Sequence, residues 1–360
     1  MSSLQRLYLD HAATTPVLAP ARAAVAAALE GWANPSSPHA DGRKARAALE
    51  ETRRTISQAL DWRHDVILTS GASEAIQIVA ARAKPQRRIV GATEHDAAIA
   101  AMGPGADLLP VGPDGVVDLP ALERLLAGGP ALVAVQQVNN ETGVIQPLER
   151  IAGLVRAAGS LLLADCAQGA GKIPLPDADF IAVSAHKLGG PPGAGALLVK
   201  DLGTIEPSGG QERGYRRGTE NLPAAAGMAA ALASEAFAQA MGRLASVRQR
   251  LEEEIAASGG IPVAGEAPRI ATIGAYAMPG VASASQLVQF DLVGIAVSAG
   301  SACSSGSMKP SRVLEAMGLA GEVAASVIRV SFGPGTSEAD IERFVAEWRR
   351  VAAKASAKAA

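Results

Sequence analysis

Cysteine is scarce in this chain of 360 residues: there are two, Cys166 and Cys303. They form no CxxC pair and lie far apart, which argues against a disulfide framework and against a self-contained zinc site, so each thiol is read singly. Aromatic side chains make up 3% of the residues, so a ring that stacks on a flat ligand has to come from a histidine. No stretch approaches about 18 consecutive apolar residues, and no membrane span is expected. The net charge of -2 supplies no basic field for nucleic acid. Residues 1–9 lack the basic start and long apolar run of a secretory signal, so a cytoplasmic protein is expected.

The chain has 48% hydrophobic and 19% charged residues, enough to bury a large core in two domains. From residue 66 onwards a grammar of short apolar runs and helices sets in. Runs at 66–69, 88–91, 131–135, 160–164, 180–183 and 194–199 read as strands, and 75–83 and 148–158 as helices between them. Several strands separated by helices predict a mostly parallel α/β sheet. Before it, 20–30 and 41–60 read as helices, the second with an exposed charged face. After residue 199 comes a glycine and arginine loop at 209–221, then an alanine-rich helical zone, 224–257, that reads as a connector. Strands at 270–275, 294–297 and 327–331 and helices at 283–289, 311–317 and 337–354 complete a second, smaller α/β domain.

Chemistry gathers where strands end. Lys187 stands between the apolar run 180–183 and the turn Gly189-Gly-Pro-Pro-Gly193. An amine held at a sheet mouth loses charge on burial and then attacks carbonyls; the bland alternative is a surface lysine in a turn. Ser184 and His186 flank it as donors to an anion. Ser73 follows a glycine turn at a helix start, where free N–H groups and the helix dipole favour a phosphate, although an ordinary serine cap fits equally. Asp165 directly follows a buried run and needs a cationic partner, either a protonated pyridine nitrogen or an arginine. His95 opens a helix and by itself reads as a cap or a surface residue.

The ordered motifs Leu9-Asp-His-Ala-Ala-Thr-Thr-Pro16, Thr69-Ser-Gly-Ala-Ser-Glu74, Glu94-His95, Asn139-Asn-Glu-Thr-Gly143, Asp165-Cys-Ala-Gln168, Ser184-Ala-His-Lys187, Arg217-Gly-Thr-Glu-Asn221, Gly300-Ser-Ala-Cys-Ser-Ser305 and Arg329 together resemble the class V aminotransferase family, and within it the cysteine desulfurases of the NifS/IscS type. The resemblance spans essentially the whole chain. It implies a pyridoxal 5'-phosphate (PLP) transferase of fold type I: a large domain at 16–247 with a mostly parallel seven-stranded sheet, and a smaller C-terminal α/β domain made of 1–15 and 248–360. Position by position it implies that Lys187 carries PLP as an aldimine, Asp165 meets the pyridine nitrogen, Gln168 the phenolic oxygen, and His95 stacks on the ring. Ala72, Ser73, Ser184 and His186 take the phosphate, with Thr219 reaching the phosphate of a second copy in a homodimer. Asn140 and Arg329 orient L-cysteine, Asn140 also lying against the cofactor. Cys303 is the nucleophile that becomes a persulfide and passes its sulfur to an acceptor such as an iron-sulfur scaffold protein.

Ser73 stands where many relatives have threonine, and His11, Gly190 and Pro192 stand at variable positions. The flank of Cys303 matches the iron-sulfur and nitrogen-fixation subgroup. Competing readings are a selenocysteine lyase, another class V aminotransferase, or an inactive scaffold on the same fold.

Overall fold

The computed structural model describes residues 6–300 and 311–359, the last five of them as backbone only. In chain order its main elements are β1 (Leu7–Tyr8), α1 (Ala19–Glu30), α2 (Ala40–Ala59), β2 (Asp65–Thr69), α3 (Ala72–Arg82), β3 (Arg87–Gly91), α4 (Asp96–Met102), β4 (Asp107–Leu109), α5 (Leu119–Leu126), β5 (Ala131–Gln136), α6 (Leu148–Ala157), β6 (Leu161–Asp165), β7 (Phe180–Ser184) and β8 (Gly195–Val199). There follow α7 (Leu222–Ala233), α8 (Ala236–Ala257), β9 (Ile261–Pro262), β10 (Ile273–Ala277), α9 (Ser283–Leu292), β11 (Ile295–Ala296), α10 (Arg312–Ala316), α11 (Gly321–Ala325), β12 (Val327–Ser331) and α12 (Glu338–Ala359).

Seven strands form one sheet in the order β2-β8-β7-β6-β5-β3-β4. All neighbours are parallel except β8, which runs against both β2 and β7. Strands β5, β7 and β8 are buried along their whole length. That is what a sheet covered on both faces requires, and it explains why their sequences are continuous apolar runs with no alternation. Ala45, Leu49, Ile151 and Met228 pack in the core of one face; Ile76, Val79, Ala98 and Met102 pack in that of the other. Helix starts are marked by caps with a clear donor: Asp118 accepts from Ala121 N at 2.9 Å and Asn221 from Ala224 N at 3.1 Å, each followed by a proline in the first turn.

A second apolar core forms around the sheet β12-β10-β9 and joins Leu244, Leu251, Phe290, Ile328, Phe344 and Trp348. Phe290 and Phe344 stack at 4.9 Å. Strand β1 pairs in parallel with β11, Leu7 opposite Ile295, so Leu7 and Tyr8 join this lobe before the chain crosses to the large sheet.

Two expectations shift in detail. The zone 224–257 is two helices, broken at Glu235, whose backbone is left-handed (φ 51°) and cannot continue a helix. The strand expected at 270–275 begins at Ile273, because Ile270 N donates to Gly143 O (2.9 Å) and Ile145 N donates to Pro268 O (2.8 Å), which ties 268–270 to the large lobe first. Strand β4 and helix α5 extend the alternation beyond the runs read from the sequence.

Candidate active site

The carboxyl ends of the parallel strands converge, as an open α/β sheet requires of its ligand crevice. Register places Gln136 of β5 beside Asp165 of β6, and Asp165 beside Ala182 of β7. Two residues past Ala182, β7 ends at Ser184, and a single 3-10 turn, 185–187, carries His186 and Lys187 out of the sheet. The lysine therefore emerges next to the aspartate by the geometry of adjacent strand ends.

Lys187 Nζ donates to the carbonyls of Ala12 (2.6 Å) and Ala13 (2.8 Å). Gln168 Nε2 donates to the same Ala12 oxygen at 2.8 Å, while its buried Oε1 has no partner. Asp165 accepts from Ala167 N at 2.9 Å. Burial pushes the Asp165 carboxyl above the usual range, opposed by that hydrogen bond and by the nearby His95 and Lys187. His186 lies 3.3 Å from Thr14 Oγ1 through its Nδ1, and burial followed by Lys187 and Lys172 brings its pKa down to about 4. The imidazole is thus neutral at ordinary pH.

The segment 69–74 supplies an anion seat. Helix α3 begins after Gly71, whose φ of 155° excludes most side chains, and no side chain caps its first N–H groups. Gly195 packs so closely on this turn that a Cβ there would lie 2.5 Å from Gly71 Cα. Ser184 Oγ faces the turn, 3.6 Å from where a Gly71 Cβ would stand. Ala72 is buried and Ser73 exposed. Arg216 Nε donates to Glu74 at 3.0 Å and holds the glycine and arginine loop against the turn, and Thr219 of that loop is exposed.

His95 caps α4, its Nδ1 accepting from Ala97 N at 3.1 Å. Arg329, 5% exposed on β12, donates through Nη1 to Asn140 O (2.9 Å) and through Nη2 to Asp10 Oδ1 (2.7 Å), and its buried Nε has no partner. Arg329 and Asn140 are thereby brought together from the two lobes. Cys303 lies outside the described residues. Cys166, directly after Asp165, is fully buried, and burial and then Asp165 raise its thiol pKa well above the usual value.

Several participants gave no individual signal in the sequence. Asp10 and the carbonyls of Ala12 and Ala13 sit inside a motif whose small residues marked a close approach without showing what approaches. Glu94 is 1% exposed; it accepts from Gln136 N at 2.9 Å, and its carboxyl is pushed well up by burial. Lys172 is buried with its Nζ over the Phe237 ring, 4.8 Å from the centroid.

The site thus joins a lysine amine at a strand-to-turn junction, a buried carboxylate on the adjacent strand end, an orphaned amide oxygen and an uncapped helix start on an α/β fold. The chain belongs to the class V aminotransferase family, whose model matches residues 7–344; the family is PLP-dependent. It is 34% identical over 368 residues to a cysteine desulfurase of Cereibacter sphaeroides, covering 95% of this chain and 94% of that protein. It is 36% identical to an IscS-like cysteine desulfurase of Mycobacterium tuberculosis, covering 93% of each. Among solved structures, a NifS-like protein from Rickettsia africae superposes with a TM-score of 0.88 at 29% identity, over 96% of this chain and 99% of that one.

The donor set fits PLP. Gln168 Oε1 lacks a donor, Asp165 lacks a hydrogen-bonded cation among the described residues, and the N–H groups opening α3 lack a cap. These are the complements of a phenol, a protonated ring nitrogen and a phosphate.

Proposed function

We propose that this chain is a PLP-dependent cysteine desulfurase that converts L-cysteine to L-alanine and leaves the sulfur as a persulfide on Cys303. The observation that carries the reading is the placement of Lys187 and Asp165 on adjacent strand ends beneath the backbone of 10–15, in a chain whose relatives bear that name. Lys187 holds the cofactor covalently, Asp165 its ring nitrogen and Gln168 its phenolic oxygen. His95 lies against the ring with Asn140 beside it. Ala72, Ser73, Ser184 and His186 take the phosphate, joined by Thr219 contributed across a homodimer. Bound PLP supplies an electron sink for the amino acid's α carbon.

The protein's own part is placement and proton transfer. Arg329 grips the substrate carboxylate through its fork while Asn140 fixes its orientation. The freed Lys187 amine removes the α proton and returns it, and His95 helps move protons to and from the substrate thiol. Cys303 thiolate then attacks the substrate sulfur: an S–S bond forms, the C–S bond breaks, and its electron pair stays with the carbon, which is protonated to give alanine. The persulfide sulfur passes to an acceptor protein, for which an iron-sulfur scaffold is the proposal. We assign residues 16–247 to the cofactor-binding unit and 1–15 with 248–360 to the unit that carries Cys303.

The test is to supply purified, PLP-loaded protein with L-cysteine. Equimolar alanine and transferable sulfur, with one added sulfur on the Cys303 peptide by mass spectrometry, supports the assignment. Amino transfer to a keto acid without sulfur on Cys303 rejects it.

A further inference from the structure

The turn that presents His95, residues 92–95 between β3 and α4, is held by groups from outside it at every carbonyl before the helix. Thr93 O accepts from Gln136 Nε2 (2.6 Å) and Asn139 Nδ2 (3.1 Å). Ala92 O accepts from Arg312 Nη1 at 2.8 Å, and Glu94 O accepts from Arg312 Nη2. The carbonyl of His95 itself is used within α4, by Ala98 N at 2.9 Å. A single guanidinium therefore spans the two carbonyls that flank Thr93, and it arrives from a helix whose Val313 and Leu314 pack in a core with β10 and β12.

The origin of that guanidinium is itself fixed. Ser311, the residue before it, caps α10 by accepting from Leu314 N at 3.1 Å and donates to Glu141 Oε2 at 2.6 Å, with both side chains buried. Arg312 thus extends from an anchored backbone. Its ion pair with Asp96 (3.2 Å) is exposed on both sides and contributes little to stability, so that pair does not account for the arrangement. The fork across two carbonyls does: only a planar, bidentate donor spans them, and a lysine offers a point charge in its place.

We propose that Arg312 is a positioning residue for the reaction, fixing the turn at 92–95 so that His95 is held against the cofactor and the substrate thiol. The proposal rests on the desulfurase reading above. Displacement of a reacting group by about 1 Å costs up to about a hundredfold in rate; a turn kept by its Gln136 and Asn139 bonds loses less.

The experiment compares PLP-loaded wild-type protein with Arg312→Ala and Arg312→Lys. Three readouts are taken: kcat and KM for alanine formation from L-cysteine, the visible circular dichroism of bound PLP, and the pH profile of kcat. In Arg312→Ala, kcat is expected to fall about tenfold with KM within about twofold, since proton transfer and not substrate grip is affected. The visible dichroism should change because the ring's neighbour has moved, and the limb of the pH profile carried by His95 should shift. Arg312→Lys should resemble the alanine variant and, if that variant fails to fold, decides the question by itself. Wild-type kcat and visible dichroism in Arg312→Ala, or full recovery in Arg312→Lys, overturns the proposal. Wild-type protein that binds PLP yet forms no alanine from cysteine overturns the reading beneath it instead.

Discussion

Arg329 and Asp10 are paired between β12 and the N-terminal segment, Nη2 to Oδ1 at 2.7 Å, so the guanidinium proposed to grip the substrate already has one anion in its fork. Its side chain is 6% exposed and that of Asp10 21%, which makes this a mostly buried pair. Arg329→Ala strands Asp10 and removes the donor to Asn140 O. We expect kcat/KM for L-cysteine to fall at least about a hundredfold and the fold to lose about 3 kcal/mol. Steady-state kinetics and denaturant melts check both. Arg329→Lys should not restore kcat/KM, because an ammonium is a compact point charge without the planar fork that reaches Asp10 and Asn140 O from separate nitrogens.

Lys187→Ala should abolish the visible absorption of bound PLP and all turnover, while the chain still folds. The lysine's two hydrogen bonds go to carbonyls of a segment that Gln168 also holds. Absorption spectra with added PLP, alongside far-ultraviolet circular dichroism, separate loss of attachment from loss of fold. A variant with wild-type turnover refutes the assignment.

The two thiols should differ sharply. Cys166 has no exposed surface and a thiol pKa raised by burial and by Asp165, so neither access nor the thiolate form is available. Native protein treated with iodoacetamide near pH 8 should carry the label on Cys303, and Cys303→Ser protein should take none until it is denatured. The same variant should bind PLP and L-cysteine yet form no persulfide. Peptide mapping by mass spectrometry decides, and prompt labelling of Cys166 in the native chain would contradict the structure.

Lys172 offers a pH test. Burial and then Lys187 bring its pKa down to about 7, whereas an unfolded lysine titrates near 10.4. Between about pH 7 and pH 10 the unfolded chain holds a proton that the folded chain does not, so stability rises with pH across that window, and the lysine is a cost at and below its lower end. Lys172→Met, which keeps the apolar stem, should stabilise the cofactor-free protein by about 2 kcal/mol at pH 7, after the loss of the contact with Phe237 is set against the linkage gain. The difference should shrink by pH 10. Thermal melts at the two pH values check the sign, and an advantage that grows with pH would refute it.

The strand ends of the candidate site were legible because an apolar run followed at once by a polar residue is visible in one dimension: Asp165 at the end of β6 and Ser184 at the end of β7 announce themselves. The partners of the site were not. Lys187 meets carbonyls 174 and 175 positions away, and Arg329 meets an aspartate 319 positions away, and no local pattern encodes such pairings. The break between α7 and α8 was hidden for a different reason. It falls at Ser234 and Glu235, with no glycine or proline to mark it, so propensity carries the helix straight through. Arg312 carries no local signal, since its two carbonyl acceptors belong to a distant turn.

The segment at 10–15 also sets an order of events during synthesis. Ala12 N donates to Ser331 Oγ, 319 residues downstream, and Thr15 N to His186 O, while Ala12 O receives Lys187 and Gln168. A ribosome therefore releases Gln168, His186 and Lys187, which fasten the segment to the large sheet, long before Ser331, which fastens it to β12, and that second tie closes much the longer loop. Lys187 and Gln168 both precede β12, so a chain truncated before Ser331 would keep the donors that clasp Ala12 O and lose the tie from Ala12 N to β12.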